Sequence, residues 1–80
     1  MTRSVFTKRY DRFRKLLIDA RKSAGLSQAD VAAKLKRNQT FVSKYERGER
    51  RLDVIEFLEV ARVLGFDPLK FIRQLVQPDK

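Results

Sequence analysis

Residues 27–48 have the sequence SQADVAAKLKRNQTFVSKYERG, which contains two short helical patterns separated by a turn. Ser27 and Asp30 have the spacing of a capping box, in which each side chain satisfies a backbone N–H of the other's turn. A helix is therefore predicted to begin at Gln28. Its apolar pattern extends only to Lys36, so this helix is barely two turns long.

The second pattern begins after the turn, where Asn38 is suited to be an N-cap. A helix is predicted over 39–47, with Val42 and Tyr45 facing inward and Gly48 ending it in the left-handed conformation. Two short helices joined by a short turn have the geometry that places the second helix in the major groove of DNA.

Further amphipathic helices are predicted on both sides of this pair. Apolar residues recur at three- and four-residue steps from Tyr10 to Ala24, and Gly25 is expected to end that helix. Asp53 and Glu56 form the capping signal of a predicted fourth helix, and Asp67 precedes a fifth. The apolar stripe predicted for the fourth helix consists of Val54, Ile55, Leu58, Ala61 and Leu64. That of the fifth consists of Leu69, Ile72, Leu75 and Val76.

The predicted fold class is all-α, a compact five-helix domain over residues 10–77 with the helix-turn-helix at helices 2 and 3. Residues 1–9 are assigned to a basic N-terminal extension. They contain no apolar run of the kind found in a secretory signal. A basic transit peptide is the alternative to a solvated extension.

Charge and composition narrow the function. The chain has 80 residues and a net charge of +9, with 15 Lys and Arg against 5 Asp and Glu in residues 1–51. Such a surplus attracts phosphate backbones or anionic lipid. The chain has no cysteine and no histidine, which excludes disulfides, Ser-His-Asp triads and common zinc sites. We expect no enzyme activity, no metal and no cofactor, and a protein located in the cytoplasm, at the nucleoid.

The stretch from Gly25 resembles the Cro/CI-type phage-repressor helix-turn-helix family, often called XRE. The residues that carry the resemblance are the Gly25-Leu26-Ser27-Gln28 run, Ala32, the Ser43-Lys44-Tyr45-Glu46-Arg47-Gly48 run and the apolar fourth helix. The resemblance covers about residues 12–68. It implies a lambda-repressor-like fold and binding to double-stranded DNA.

The resemblance implies that Gln39, Thr40 and Lys44 read base edges. Gln can pair with adenine, Lys can donate to guanine, and the Thr methyl can contact a thymine methyl. It also implies that Gln28 anchors a phosphate at a helix N-terminus. The alternative for Gln39, Thr40 and Lys44 is a solvated polar surface, and the alternative for Gln28 is a first helical residue that only follows its N-cap.

Further contacts to DNA phosphates are expected at Asn38, Ser43, Arg47, Arg50 and Arg51. Asn38 is suited to contact bases as well. Arg50 and Arg51 could instead be solvated loop charges. The resemblance also implies a structural ion pair between Arg21 and Glu46. A mixed surface without pairing is the alternative there.

Two positions depart from the family pattern or leave their role open. Lys36 occupies a turn position where the family often has glycine, so either it adopts the left-handed conformation or the turn has a different shape. Phe41 is either covered by the fourth helix or partly exposed beside DNA.

A single recognition helix contacts only about three or four base pairs, so specific affinity usually requires two half-sites and a homodimer. The candidate dimer interface is the weakly charged C-terminal part, with Phe66, Phe71, Leu75 and Val76. The alternative is that these residues close the core of the monomer.

The predicted function is sequence-specific transcriptional regulation as a repressor or autoregulator of bacterial or phage origin. A restriction-modification controller and an antitoxin that holds a protein partner are the alternatives on the same fold. A membrane-surface or RNA-binding domain would fit the charge but not the spacing of Gln28, Gln39 and Lys44. An enzyme fits least.

Overall fold

The computed structural model describes residues 7–76, which form five α-helices and, in that range, no strand. The helices are α1 (Lys8–Ser23), α2 (Gln28–Leu35), α3 (Gln39–Arg47), α4 (Val54–Leu64) and α5 (Pro68–Val76). The predicted all-α class and the placement of the helix-turn-helix at α2 and α3 are confirmed.

The first helix begins at Lys8, earlier than the apolar stripe from Tyr10 predicts. Thr7 is the N-cap, and its hydroxyl accepts a hydrogen bond from the backbone N–H of Tyr10 at 3.1 Å. A polar first turn carries no apolar periodicity, so the stripe could not reveal it. Residues 1–6 of the predicted extension, and the domain limit at residue 77, lie outside the described residues.

Capping boxes fix the start of α2 and of α4. The Ser27 hydroxyl accepts from the N–H of Asp30 at 3.0 Å, and the Asp30 carboxylate accepts from the N–H of Ser27 at 2.9 Å. Asp53 and Glu56 form the same reciprocal pair at α4. Both boxes satisfy backbone donors that have no partner inside the helix.

The turn between α2 and α3 places Lys36 in the left-handed conformation, with φ 59° and ψ 41°. Its N–H donates to the carbonyl of Ala33, and the N–H of Arg37 donates to the carbonyl of Ala32. Lys36 therefore closes α2 in the way that Gly48 closes α3. The sequence allowed either a left-handed Lys36 or a turn of different shape, and the structure has the left-handed Lys36.

The core lies where α1 and α2 cover the inner side of α3 and where α4 packs on α2. Packing contacts join α2 to α3 and α4, and α1 to α3 and α5. The buried cluster consists of Leu17, Val31, Ala32, Phe41, Val42, Tyr45, Phe57, Val60, Leu64 and Phe71. The rings of Phe13, Phe57, Phe66 and Phe71 fill the space between α1, α4 and α5.

The apolar stripe predicted for α4 is partly wrong. Val54, Ile55 and Leu58 are exposed, whereas Phe57 and Val60 face the core. Apolar residues surround most of this helix, so the sequence pattern does not decide which side is buried. The stripe of α5 needs a similar correction, since Leu69, Ile72 and Val76 are exposed and Phe71 is buried.

The left-handed conformation of Lys36 leads to a prediction about stability. Lys36→Gly should raise the free energy of unfolding by about 0.5–1 kcal/mol, because glycine adopts the left-handed conformation without a Cβ clash. The matched control is Lys34→Gly, which removes the same charge inside α2 and should lower stability by about 1 kcal/mol. Urea unfolding of both variants tests this. Equal destabilisation by both would contradict the role of the turn.

Candidate nucleic-acid interface

Helix α3 has a buried and an exposed side. Phe41, Val42, Tyr45 and Glu46 face the protein. The three residues expected to read bases all lie on the opposite, exposed side: Gln39, Thr40 and Lys44. The exposed side of α3 is therefore a continuous polar surface on a helix whose inner side is fixed by the core.

Glu46 connects three helices through one buried carboxylate. Arg21 of α1 donates to it through Nε at 2.7 Å and Nη2 at 3.2 Å, and Gln28 of α2 donates through Nε2 at 2.9 Å. The Glu46 carboxylate raises the pKa of Arg21 through this hydrogen bond. The predicted pair of Arg21 and Glu46 is thus present in the structure, with Glu46 only 4% exposed.

A second arginine of α1 holds the end of the recognition helix. Arg14 Nη1 donates to the carbonyl of Glu46 at 2.8 Å, and Nη2 donates to Asp11. A positive group at a helix C-terminus also complements the helix dipole. Gly48 makes room for this arginine, since a Cβ at that position would lie 2.9 Å from Arg14 Cδ.

Gln28 lies at the side of α3 that carries Glu46. Its amide is already engaged with that carboxylate, and the amide nitrogen has a second hydrogen available. The position is half-buried at the N-terminus of α2. The residue expected to anchor a phosphate therefore also forms part of the tie between α2 and α3.

The other residues expected to bind phosphate have different surroundings. Arg47 donates to Ser43 Oγ and to Glu49, at 2.9 Å from Nε to Oε2. Arg47 in turn lowers the pKa of Glu49 through that hydrogen bond. Both partners of this pair are more than half exposed, so it adds little stability. Asn38 is the exposed N-cap residue of α3 but its side chain makes no capping hydrogen bond.

The loop after α3 holds Arg50 and Arg51 in separate places. Arg50 donates to both oxygens of Glu56 at 3.0 and 2.8 Å and to the carbonyl of Arg51 at 2.8 Å. Arg51 lies over the ring of Tyr10, with 4.2 Å between guanidinium carbon and ring centroid. Arg50 is therefore anchored within the protein and is not a freely solvated loop charge.

Phe41 is buried at 8% exposure, and two arginines cover its ring. The guanidinium carbons of Arg37 and Arg50 lie 4.1 and 4.9 Å from the ring centroid. Arg37 also donates to Glu56 at 3.3 Å. The sequence predicts Glu56 only as the capping partner of Asp53, and it contains no signal that points to Arg37.

The candidate dimer residues are mostly inside the monomer. Phe71 is 5% exposed and stacks on Phe66, with 4.7 Å between ring centroids. Leu75 is half-buried against the core. Phe71 is thereby removed from the candidate interface because α1 and α4 already cover it. Val76, at 66% exposure, is the most exposed member of the predicted set.

Other kinds of site have little support among residues 7–76. In that range no group of acidic side chains is arranged to hold a metal ion. Nor does any helix there combine the length and the apolar character needed to cross a bilayer.

The bonds to Glu56 predict a pH-dependent contribution to stability. Hydrogen bonds from Arg50 hold the pKa of Glu56 at about 2, below its ordinary value of 4.5. A carboxyl whose folded pKa is depressed stabilises the fold above its unfolded pKa and loses that effect as the pH falls through the folded value. The stability difference between wild type and Glu56→Gln should therefore be constant above about pH 5 and shrink toward pH 2. Urea unfolding across that range measures it, and a difference independent of pH would contradict the assignment.

Comparison with known proteins agrees with this geometry. A helix-turn-helix family model matches residues 17–71. An XRE-family-like protein from Pseudomonas syringae pv. tomato str. DC3000 superposes with a TM-score of 0.81 and 49% identity, over 84% of this chain and 82% of that one.

A mutant of the restriction-modification controller protein C.Esp1396I superposes with a TM-score of 0.77 over 88% of this chain and 89% of that one. Its identity to this chain is 23%, so this likeness concerns the fold alone. A comparison with curated proteins found no match. The family match and the 49% identical structure place this chain in the XRE-type helix-turn-helix family.

Proposed function

We propose that this protein is a sequence-specific regulator of transcription that binds double-stranded DNA as a homodimer. The observation that carries the proposal is the polar outer side of α3, held on a rigid support by the bonds to Glu46. A helix about 10–12 Å wide with its side chains fits a major groove of about 12 Å. The protein would act in the cytoplasm, at the nucleoid, as a repressor or autoregulator.

Base recognition is assigned to Gln39, Thr40 and Lys44, which are exposed on one side of α3. The amide of Gln39 can pair with adenine N6 and N7, and the ammonium of Lys44 can donate to guanine O6 and N7. Thr40 offers its methyl group to a thymine methyl. No base or phosphate of DNA requires a cofactor or metal for these contacts.

Contacts to phosphates are assigned to Gln28, Asn38, Ser43 and Arg47 around this surface. Gln28 has one amide hydrogen beyond its bond to Glu46. Arg47 is bonded to the exposed Glu49, and a phosphate can replace such a partner because exposed ion pairs contribute little. These contacts would set the orientation of α3 rather than its sequence preference.

The dimer interface is assigned to exposed apolar residues rather than to the aromatic cluster. Val54, Ile55 and Leu58 lie on one side of α4, and Leu69, Ile72 and Val76 on one side of α5. Apolar side chains that are grouped on one side of a helix and exposed in this way favour an interaction site. A second copy would cover these two surfaces and place a second α3 in the adjacent half-site.

The same exposed apolar residues favour one alternative function. A different protein could cover α4 and α5, as in an antitoxin that uses this fold to hold its partner. Such a partner-binding protein would remain a monomer when purified alone. Its basic surface would then serve only for nonspecific attraction to DNA.

The base assignment predicts the outcome of a selection from random duplex DNA at about physiological salt. Wild type should recover an inverted repeat with half-sites about ten base pairs apart. Gln39→Ala should lose preference at one position of each half-site, at a cost of about 1–3 kcal/mol for the preferred base. The control is Gln74→Ala, an exposed glutamine of α5 whose loss should leave the motif unchanged. Recovery of no motif by wild type would refute sequence-specific binding.

The dimer assignment predicts that Leu69→Glu dissociates the protein. Leu69 is 72% exposed, so the charge should not disturb the monomer fold, whereas it would be buried without a partner in a dimer. Gln74→Glu introduces the same charge at an exposed position of α5 outside the apolar side. Sedimentation equilibrium should give a dimer mass for wild type and Gln74→Glu and a monomer mass for Leu69→Glu. A monomeric wild type would instead support the partner-binding alternative.

A further inference from the structure

The cluster around Phe41 lies at one edge of the exposed side of α3. Phe41 and Lys44 are neighbours on the helix at i and i+3, so the ring lies beside the Lys44 edge. Glu46 lies about two turns after Gln39 and therefore on the Gln39 edge, where Gln28 is bonded to it. The exposed side of α3 is thus bordered by Gln28 on one edge and by the arginines over Phe41 on the other.

The two arginines over Phe41 differ in how many donors they have left. A guanidinium has five N–H groups. Arg50 uses three of them, on Glu56 and on the carbonyl of Arg51. Within the described residues Arg37 uses one, from Nη2 to Glu56 at 3.3 Å. The side chains of Arg37 and Arg50 are 44% and 41% exposed, so the two arginines differ in their remaining donors and not in their exposure.

Because Arg37 stacks on a ring and is bonded to a carboxylate, its guanidinium has a defined position, and four of its five donors make no hydrogen bond within the described residues. Its place immediately before Asn38 puts it next to the N-terminus of α3. We infer that Arg37 binds a backbone phosphate on the DNA strand opposite the one bound by Gln28. In this arrangement Phe41, Arg50 and Glu56 are positioning residues for Arg37.

This inference rests on the proposed binding of α3 in the major groove, whose two walls are the two phosphate backbones. It also revises the role expected of Arg50. Arg50 uses three of its five donors within the protein, two of them on Glu56, which it holds in place. A lysine at position 37 could supply charge but could not stack flat on the ring and bond the carboxylate with the same group.

The test is the salt dependence of binding to the duplex recovered by random selection, and to a scrambled duplex of equal length. Arg37→Ala should lower the slope of log K against log salt by about one on both duplexes while preserving the selected motif. The matched control is Arg62→Ala, which removes the same charge from an arginine of α4 that is 67% exposed and paired with Glu59. This control should keep the wild-type slope.

The positioning role has its own readout in Glu56→Gln. General electrostatics predicts tighter binding, because a negative charge near DNA is removed. If Glu56 positions Arg37, Glu56→Gln should not tighten binding, and its slope of log K against log salt should fall toward that of Arg37→Ala. Glu59→Gln is the control, since it removes the same charge one turn away without a bond to Arg37 or Arg50.

Three outcomes separate the possibilities. If wild type does not bind duplex DNA, the proposed function fails. If wild type binds but Arg37→Ala and Arg62→Ala have equal slopes, the phosphate assignment of Arg37 is wrong. If Glu56→Gln tightens binding as much as Glu59→Gln does, Glu56 does not position Arg37. Circular dichroism of each variant checks that the five helices remain.

Discussion

The buried carboxylate of Glu46 is the interaction on which the arrangement of α1, α2 and α3 depends. It accepts hydrogen bonds from Arg21 and Gln28, and the carbonyl of the same residue accepts one from Arg14. A buried ion pair adds little net stability, yet removing one partner leaves an uncompensated charge and costs about 3–5 kcal/mol. The orientation of α3 relative to its supporting helices is therefore specified by an ion pair whose partners cannot be replaced one at a time without a large loss of stability.

Local signals in the sequence predicted the helix ends well. Ser27 and Asp53 cap helices as expected, and Gly48 ends the recognition helix in the left-handed conformation. These features involve residues within one turn of each other, so the sequence contains all of the information. Lys36 shows the limit of this reasoning, because the choice between a strained residue and another turn shape depends on how α3 packs against α2.

The sequence could not show which side of α4 is buried. Apolar residues occur on both sides of this helix, and the aromatic cluster selects Phe57 in preference to Val54 and Ile55. The same cluster takes Phe71 away from the surface. Long-range contacts decide which of these residues are buried. The hydrogen bond from Arg37 to Glu56 is also long-range, because Glu56 belongs to another helix and no local pattern connects it to the turn.

The use of arginine rather than lysine around α3 has a common physical reason. Five arginines each donate to a carboxylate and each also contact a carbonyl, a hydroxyl or a ring: Arg14, Arg21, Arg37, Arg47 and Arg50. The planar guanidinium has five donors, so one to three bonds can fix its position and, where the group is exposed, leave others for a phosphate. Acidic residues near the surface thus need not oppose DNA binding. Each can fix the position of an arginine while some of the guanidinium donors remain available for a phosphate.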